Sequence, residues 1–326
     1  HKKGGYGRPF LRDRLCFVEG ENMFDLVIIG AGTAGLSAAI YGLRAGKSVL
    51  VLEASTYGGQ IINTPEIENY PAIQKISGFE FATNLYKQAK DLGADIRIEK
   101  AVAIKEDGKY KVVETKNNVY QAKTVIIATG AKNRTLGIDK EEELVGKGVS
   151  YCATCDGMFY RGKVVAVNGG GNTAVEDAAF LSGYVEKVYL IHRREEFRAD
   201  KAEVDRLIAQ PNVELVLNST IKELKSDESG LTGIVVADKE GGERDIQLDG
   251  LFVAIGQVPD NGAFAGLVDL DSRGYVSAGE NTLTRTAGIF TAGDCRTKEV
   301  RQLTTAASDG AVAALAAVNY IHEHEL

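Results

Sequence analysis

Short apolar, β-branched runs alternate along this chain with stretches in which small and apolar residues recur at three- and four-residue intervals. Residues 24–29 form the first run and read as a buried strand. The glycine turn Gly30-Ala31-Gly32-Thr33-Ala34-Gly35 follows at once. Residues 34–44 then carry helical spacing up to Gly46, and residues 48–52 form a second strand closed by Glu53. The plan repeats with a strand at 163–167, the turn Gly169-Gly170-Gly171, a helix at 173–181 and a strand at 187–191. His192-Arg193-Arg194 stand at its end, with Arg198 beyond. The two units start 139 residues apart (24 and 163), so a fold unit is duplicated within the chain.

Three further apolar runs end in glycine motifs: 124–128 before Thr129-Gly130, 251–255 before Gly256, and 288–291 before Gly293-Asp294. Residues 112–114 and 119–121 read as a hairpin around Asn117-Asn118. Residues 234–237 and 246–248 read as another around Gly241-Gly242, and 304–322 as a long helix. The expected class is α/β with small antiparallel sheets attached. No low-complexity linker divides the chain, so boundaries near 131–135 and 258–262 rest on motif position alone.

A length of 326 residues suits about two domains, and 44% hydrophobic with 25% charged residues suits a soluble globular protein. The net charge of −7 argues against a general nucleic-acid-binding surface. No apolar run approaches the roughly 20 residues that span a bilayer; the longest, 311–318, is short and alanine-rich. The four cysteines, Cys16, Cys152, Cys155 and Cys295, do not make a secreted disulfide framework. Residues 1–22 precede the first methionine, Met23, and carry Lys2, Lys3, Arg8, Arg12 and Arg14 without an apolar signal-type stretch. They are read as a tag-derived or disordered leader and left out of the fold.

A glycine turn at a helix N-terminus lets backbone N–H groups approach a pyrophosphate. One such motif is weak; two, each following a strand and opening a helix, are strong. Glu53 lies 18 residues after Gly35, close to the spacing of the acid that takes ribose hydroxyls, and it would repel a 2′-phosphate. The first site therefore suits FAD or NAD. His192, Arg193, Arg194 and Arg198 suit a phosphate instead, through charge-assisted guanidinium contacts, which favours NADPH at the second. The bland alternative is a solvated charged face with Glu195 and Glu196.

Cys152-Ala153-Thr154-Cys155-Asp156 ends shortly before Gly169, so a dithiol stands beside the second nucleotide unit. A zinc site would need two more ligands, which isolated Cys16 and Cys295 and four scattered histidines do not offer. A structural staple would close too small a loop to stabilise much. A redox pair is the favoured reading, with a helix N-terminus able to lower a thiol pKa. Asp156 is either its proton donor and acceptor or an ordinary cap.

With CATCDG at 152–157, HRREEFRA at 192–199, GDC at 293–295 and RQLTTAA at 301–307, the sequence closely resembles the low-molecular-weight thioredoxin reductases from about Met23 to Ile321. The resemblance implies two Rossmann-like domains. An FAD domain at 23–133 and 263–326 would be interrupted by an NADPH domain at 134–262 that carries the dithiol. It implies a cytoplasmic homodimer that passes electrons from NADPH through FAD to Cys152–Cys155 and on to thioredoxin or a thioredoxin-like protein, with no metal, nucleic acid or membrane involved. Cys155 would lie next to the flavin, Cys152 would attack the substrate disulfide and Asp156 would act as acid/base. FAD contacts carried over are Gly30, Gly32, Gly35, Glu53, Gly59, Gln60, Asn69, Val102, Thr129, Gly130, Asp294, Arg301 and Gln302. NADPH contacts are Gly169, Gly171, Asn172, Thr173, His192, Arg193, Arg194 and Arg198. The family also rotates its NADPH domain to present nicotinamide and dithiol in turn.

Two departures stand out: Asn168 replaces the apolar residue usual before the second turn, and Cys295 adjoins Asp294, where it reads as packing. The rivals are a same-scaffold flavin dithiol oxidase, a ferredoxin-linked thioredoxin reductase, and a non-catalytic flavoprotein sensor. The intact basic cluster speaks against the first two, and the Cys-x-x-Cys-Asp arrangement against the third.

Overall fold

A computed structural model describes residues 23–326 apart from the Asn63 side chain; the leader and Cys16 lie outside the described residues. The chain opens with β1 (Met23–Ile29), α1 (Thr33–Arg44), β2 (Val49–Glu53), α2 (Gly78–Asp91) and β3 (Asp95–Ile98). The hairpin strands β4 (Ala101–Asp107) and β5 (Tyr110–Thr115) and the long β6 (Val119–Ile127) follow. They form one sheet in the order β3-β2-β1-β6-β5-β4. β1 pairs in parallel with β2 and β6, while β5 pairs antiparallel with both β4 and β6. Side-chain alternation along β1 sends Leu26 and Ile28 into a core with α1, and Val27 and Ile29 into a second core with Ile104, Val113 and Phe264. Both faces of the strand are thus covered, which is why it reads as an unbroken apolar run.

After a short strand β7 (Ala131–Asn133) the chain builds β8 (Val149–Ser150), α3 (Ala153–Asp156), β9 (Val164–Asn168), α4 (Asn172–Ser182), β10 (Lys187–Ile191), α5 (Lys201–Ile208) and β11 (Val213–Val216). An antiparallel sheet of β12 (Ser219–Asp227), β13 (Gly230–Asp238) and β14 (Glu243–Gln247) comes next. β15 (Gly250–Val253) then returns to complete the parallel order β11-β10-β9-β15-β8. β16 (Gln257–Pro259) pairs antiparallel with β7, matching Gln257 to Asn133 and Pro259 to Ala131. The two passages between the sheets therefore run side by side. Finally β17 (Ile289–Thr291) joins the first sheet in parallel against the end of β6, and α6 (Leu303–Glu323) lies along α1.

The expected strands, helices and hairpins are present with edges moved by a few residues: the run 124–128 is the end of the longer β6, and 251–255 stops at Val253. The sequence reading passed over α2, α5, β3, β4, β7, β8, β11, β12 and β16. α2 buries only Gly78, Phe81, Ala82 and Ala89, a thin apolar stripe on a polar helix.

The alanine-rich 311–318 lies within α6, where Ala313, Ala314 and Ala317 are fully buried. No described helix is long and apolar enough to cross a membrane; the small residues serve close helix packing instead. At Gly310 the approach is closest, because a Cβ there would run into the carbonyl oxygen of Ala34 on α1. An ordinary mid-helix Gly→Ala change gains about 1 kcal/mol. Here Gly310→Ala is expected to lower stability by about 1–3 kcal/mol through overpacking, a reversal of sign readable in urea denaturation.

Candidate functional site

In the first glycine turn each glycine has its own reason. Gly30 adopts φ +111°, and a Cβ there would strike Ala128 O; a Cβ on Gly35, in the first turn of α1, would strike Gly30 O. Gly32, the N-cap of α1, faces open space. The arrangement supplies the tight turn, the close packing and the free backbone approach that a pyrophosphate needs. Gly59 lies opposite, with Gly32 Cα as the nearest atom to its would-be Cβ. Glu53 holds the turn from below: one carboxylate oxygen accepts from Ala31 N at 2.8 Å, the other from Ser55 N at 3.0 Å.

Gln60 side-chain nitrogen donates to Ala131 O, and its oxygen accepts from Asn133 Nδ2 at 2.8 Å, so this residue anchors β7. Thr129 Oγ1 donates to Asn261 Oδ1 at 2.8 Å, and buried Asn261 donates onward to Gly274 O and Cys295 O. Gly130 turns the chain at φ +66°. Val102 is exposed near the start of β4, four residues after Ile98, the β3 partner of Glu53. Cys295 is fully buried and its thiol lies within reach of Thr291, Ile127 O and Ala292 O, as packing requires; burial pushes its pKa up.

Asp294 Oδ1 is buried and has no partner among the described residues. Burial raises this carboxyl, while Lys298 and Arg301 pull it back. An orphaned acceptor beside an open glycine turn fits a ligand that brings hydroxyl donors, as a flavin dinucleotide does. Arg301 packs on the Tyr275 ring at 4.4 Å with Nε 3.4 Å from Asp294 O.

The second turn is built alike. A Cβ on Gly169 would strike Ala254 O, whereas Gly171, the N-cap of α4, is open. Asn172 Oδ1 accepts from Asp200 N at 3.2 Å, and Thr173 is exposed beside it. His192 is only 6% exposed; it lies against Gly170, stacks on Phe197 at 5.1 Å and places Nε2 3.1 Å from Glu196 O. Burial lowers its pKa, so the ring is a neutral prop beneath the turn. Arg198 N donates to Gly170 O at 2.8 Å, which folds the basic segment over the glycines. The side chains of Arg193, Arg194 and Arg198 are exposed and join none of the neighbouring ion pairs. Glu176, Asp200 and Glu203 line an adjoining cavity of about 240 Å³, which confines the phosphate-suited face to the arginines. Nothing in the structure explains Asn168, the last residue of β9.

Cys152 and Cys155 are joined in a disulfide at the start of α3. That helix has four residues, too few for a substantial dipole, so the local chemistry rests on side chains. Asp156 Oδ2 accepts from Ser150 Oγ at 2.6 Å, and Ser150 Oγ accepts from Cys152 N at 3.1 Å. Asp156 is thus held beside the disulfide rather than capping a helix. Burial raises its pKa and the Ser150 bond partly offsets the rise. From the first unit, Gln302 Nε2 donates to Thr154 Oγ1 at 3.1 Å and lies 4.0 Å from Cys152 Sγ, and Asn69 Nδ2 donates to Gln302 Oε1 at 3.3 Å.

Sequence reasoning missed Ser150, Thr154 and Asn261. Ser150 lies two residues before Cys152 and carried no motif of its own. Asn261 bonds Cys295 across 34 residues, a tie that no spacing reveals.

Residues 24–310 match the family model described as pyridine nucleotide-disulphide oxidoreductase. The thioredoxin reductase of Peptoclostridium acidaminophilum is 41% identical over 313 residues, 92% of this chain and 98% of its own. The crystal structure of thioredoxin reductase from Streptococcus pyogenes MGAS5005 is similar with a TM-score of 0.89 at 39% identity, covering 93% of this chain and 99% of that one. Lactococcus lactis thioredoxin reductase in its FR conformation reaches 0.63 at 36% identity, covering 92% and 99%.

Two outcomes follow from Asp156. Ser150→Ala removes a bond that holds the carboxyl down, so the acid-side inflection of the thiol–disulfide exchange rate moves to higher pH in stopped-flow profiles. Because the folded-state pKa lies above 3.8, ionising Asp156 costs stability as pH rises past that value. Asp156→Asn is therefore expected to raise stability to urea at neutral pH and not below pH 3.8, while slowing exchange by about 10²-fold or more.

Proposed function

The chain belongs to the pyridine nucleotide-disulphide oxidoreductase family, and from that premise we infer how its residues divide the work. It is a flavoprotein oxidoreductase of the thioredoxin reductase type, using FAD and NADPH to reduce the thioredoxin disulfide. The observation that carries the assignment of roles is the Cys152–Cys155 disulfide with Asp156 beside it, touched by Gln302 from the other nucleotide unit.

We assign FAD to residues 23–133 and 263–326, where the Gly30–Gly35 turn, Glu53, Gly59 and the orphaned Asp294 converge. NADPH belongs to 134–262, with Gly169, Gly171, Asn172 and Thr173 at the pyrophosphate and Arg193, Arg194 and Arg198 at the 2′-phosphate. Bound FAD supplies the two-electron exchange between nicotinamide and disulfide. Two electrons and two protons convert the Cys152–Cys155 disulfide to a pair of thiols. Asp156 carries a proton to and from these sulfurs. The Cys152 thiolate then attacks one sulfur of the thioredoxin disulfide, the other leaves as a thiol, and Cys155 resolves the mixed disulfide to restore the starting bond. Gln302 and Asn69 hold the dithiol against the first unit during its reduction.

A similar identity with a much lower TM-score for the Lactococcus structure supports two arrangements of the halves within the family, reached here by turning about the β7–β16 ribbon. Exposed Tyr41, Val312 and Leu315 on α1 and α6 support a homodimer. A disulfide that is opened and re-formed in each cycle suits the cytoplasm, where such bonds are transient and catalytic.

The deciding experiment is an anaerobic spectral titration of the FAD-loaded protein with NADPH and with NADH, ended by oxidised thioredoxin. Bleaching at far lower NADPH than NADH, reversed by thioredoxin, is expected; bleaching by neither would point to an oxidase or a ferredoxin-linked enzyme. Cys152→Ser should leave the NADPH bleaching intact and abolish thioredoxin reduction. Replacing Arg193 and Arg194 by Ala should raise KM for NADPH by at least about 100-fold, at about 1.5–3 kcal/mol per charge-assisted contact, and leave KM for NADH nearly unchanged.

A further inference from the structure

Behind the Gly293–Asp294 turn lies a charge cluster that no step above uses. Asp309, on α6, is 4% exposed and receives four donors: Gly293 N at 2.9 Å, Arg296 Nε and Nη2 at 2.8 Å each, and Lys298 Nζ at 3.0 Å. Arg296 is 1% exposed and the Lys298 side chain 5%. The remaining carboxylate on Arg296, Glu280, is 89% exposed. Two buried cations thus surround one buried anion. Burial pushes the Asp309 carboxyl up, but Arg296 and Lys298 outweigh it and keep the group ionised.

Stability alone is a weak reason for such a cluster, since burying ion pairs costs about as much as their attraction returns. Placement is a stronger one. Gly293 sits at φ +80° with its would-be Cβ against Ala34 of α1, and Gly310, next to Asp309, presses on the carbonyl of the same Ala34. Asp309 therefore ties the Asp294 turn to the helix pair whose N-terminus opens the first glycine turn. Asp294, next to Gly293, has its buried Oδ1 without a hydrogen-bond partner among the described residues.

We propose that Asp309, Arg296 and Lys298 form a positioning unit for the FAD-binding turn, fixing Asp294 for the cofactor and placing one surplus buried positive charge behind it. The inference rests on the assignment of FAD to this unit. Asp309 is a positioning residue: it acts through Gly293 and Asp294.

The test measures two properties of the purified protein besides turnover, the FAD dissociation constant of the apoprotein and the midpoint potential of bound FAD. Asp309→Asn breaks the bidentate tie and raises the surplus by one charge. It should weaken FAD binding about tenfold and move the potential in the positive direction. Adding Lys298→Met to that variant restores the charge count, and so the potential, without restoring affinity. Lys298→Met alone, which keeps the tie from Asp309 to Arg296 and Gly293, should move the potential in the negative direction and remains informative if Asp309→Asn fails to fold. A less than threefold change in FAD affinity, or a potential that does not follow the charge count, would overturn the proposal. Failure of the unaltered protein to bind FAD would instead defeat the assignment on which it rests.

Discussion

The nucleotide site of the first unit depends on how closely three backbone segments can approach one another around Ala34. Gly35 brings α1 against the end of β1, Gly293 brings the Asp294 turn against α1, and Gly310 brings α6 against it from another side. A side chain at any of these positions would strike a carbonyl or the Ala34 methyl. The glycines and alanines therefore act together: they let the N–H groups that open α1 and the Asp294 carboxylate share one small opening. The alanine-rich face of α6 follows from the same constraint.

The dithiol is set by different means. One helical turn cannot provide much field, so the acid–base character near the sulfurs comes from a buried carboxyl steadied by one hydroxyl. Ser150 fixes both the backbone N–H of Cys152 and the side chain of Asp156, which makes it the joint between the disulfide and the neighbouring carboxyl. The contact from Gln302 to Thr154 is a neutral hydrogen bond between partly exposed groups. Such bonds contribute about 1 kcal/mol, enough to favour the contact and too little to lock it.

Both nucleotide units were legible because the strand–turn–helix–strand order, the glycines and the strand-end charges lie within short windows, from Met23 to Glu53 and from Val164 to Arg198. The dithiol and its neighbouring acid were legible for the same reason. The rest depends on distant pairings. Asn261 meets Thr129 across 132 residues, Gln302 meets Thr154 across 148, and β7 pairs with β16 only once the whole second unit is in place. His192 shows a subtler limit. It belongs to the basic motif by position, yet burial under Gly170 makes it a neutral support, with the surface charge left to the arginines.

The placement of β17 has a consequence for the order of assembly. It completes the first sheet by pairing with β6, yet Ile289 follows its partner Val125 by more than half the chain, and α6 comes later still. The first nucleotide unit is therefore begun before the second and finished after it. Until residues 289–323 arrive, the face of α1 that receives α6 and the free edge of β6 stay uncovered. The second unit, contiguous from β8 to β15, needs no such wait. Its early closure would draw β7 and β16 together and shorten the loop that the late segments must close. The inserted unit would thereby ease closure of the unit it interrupts.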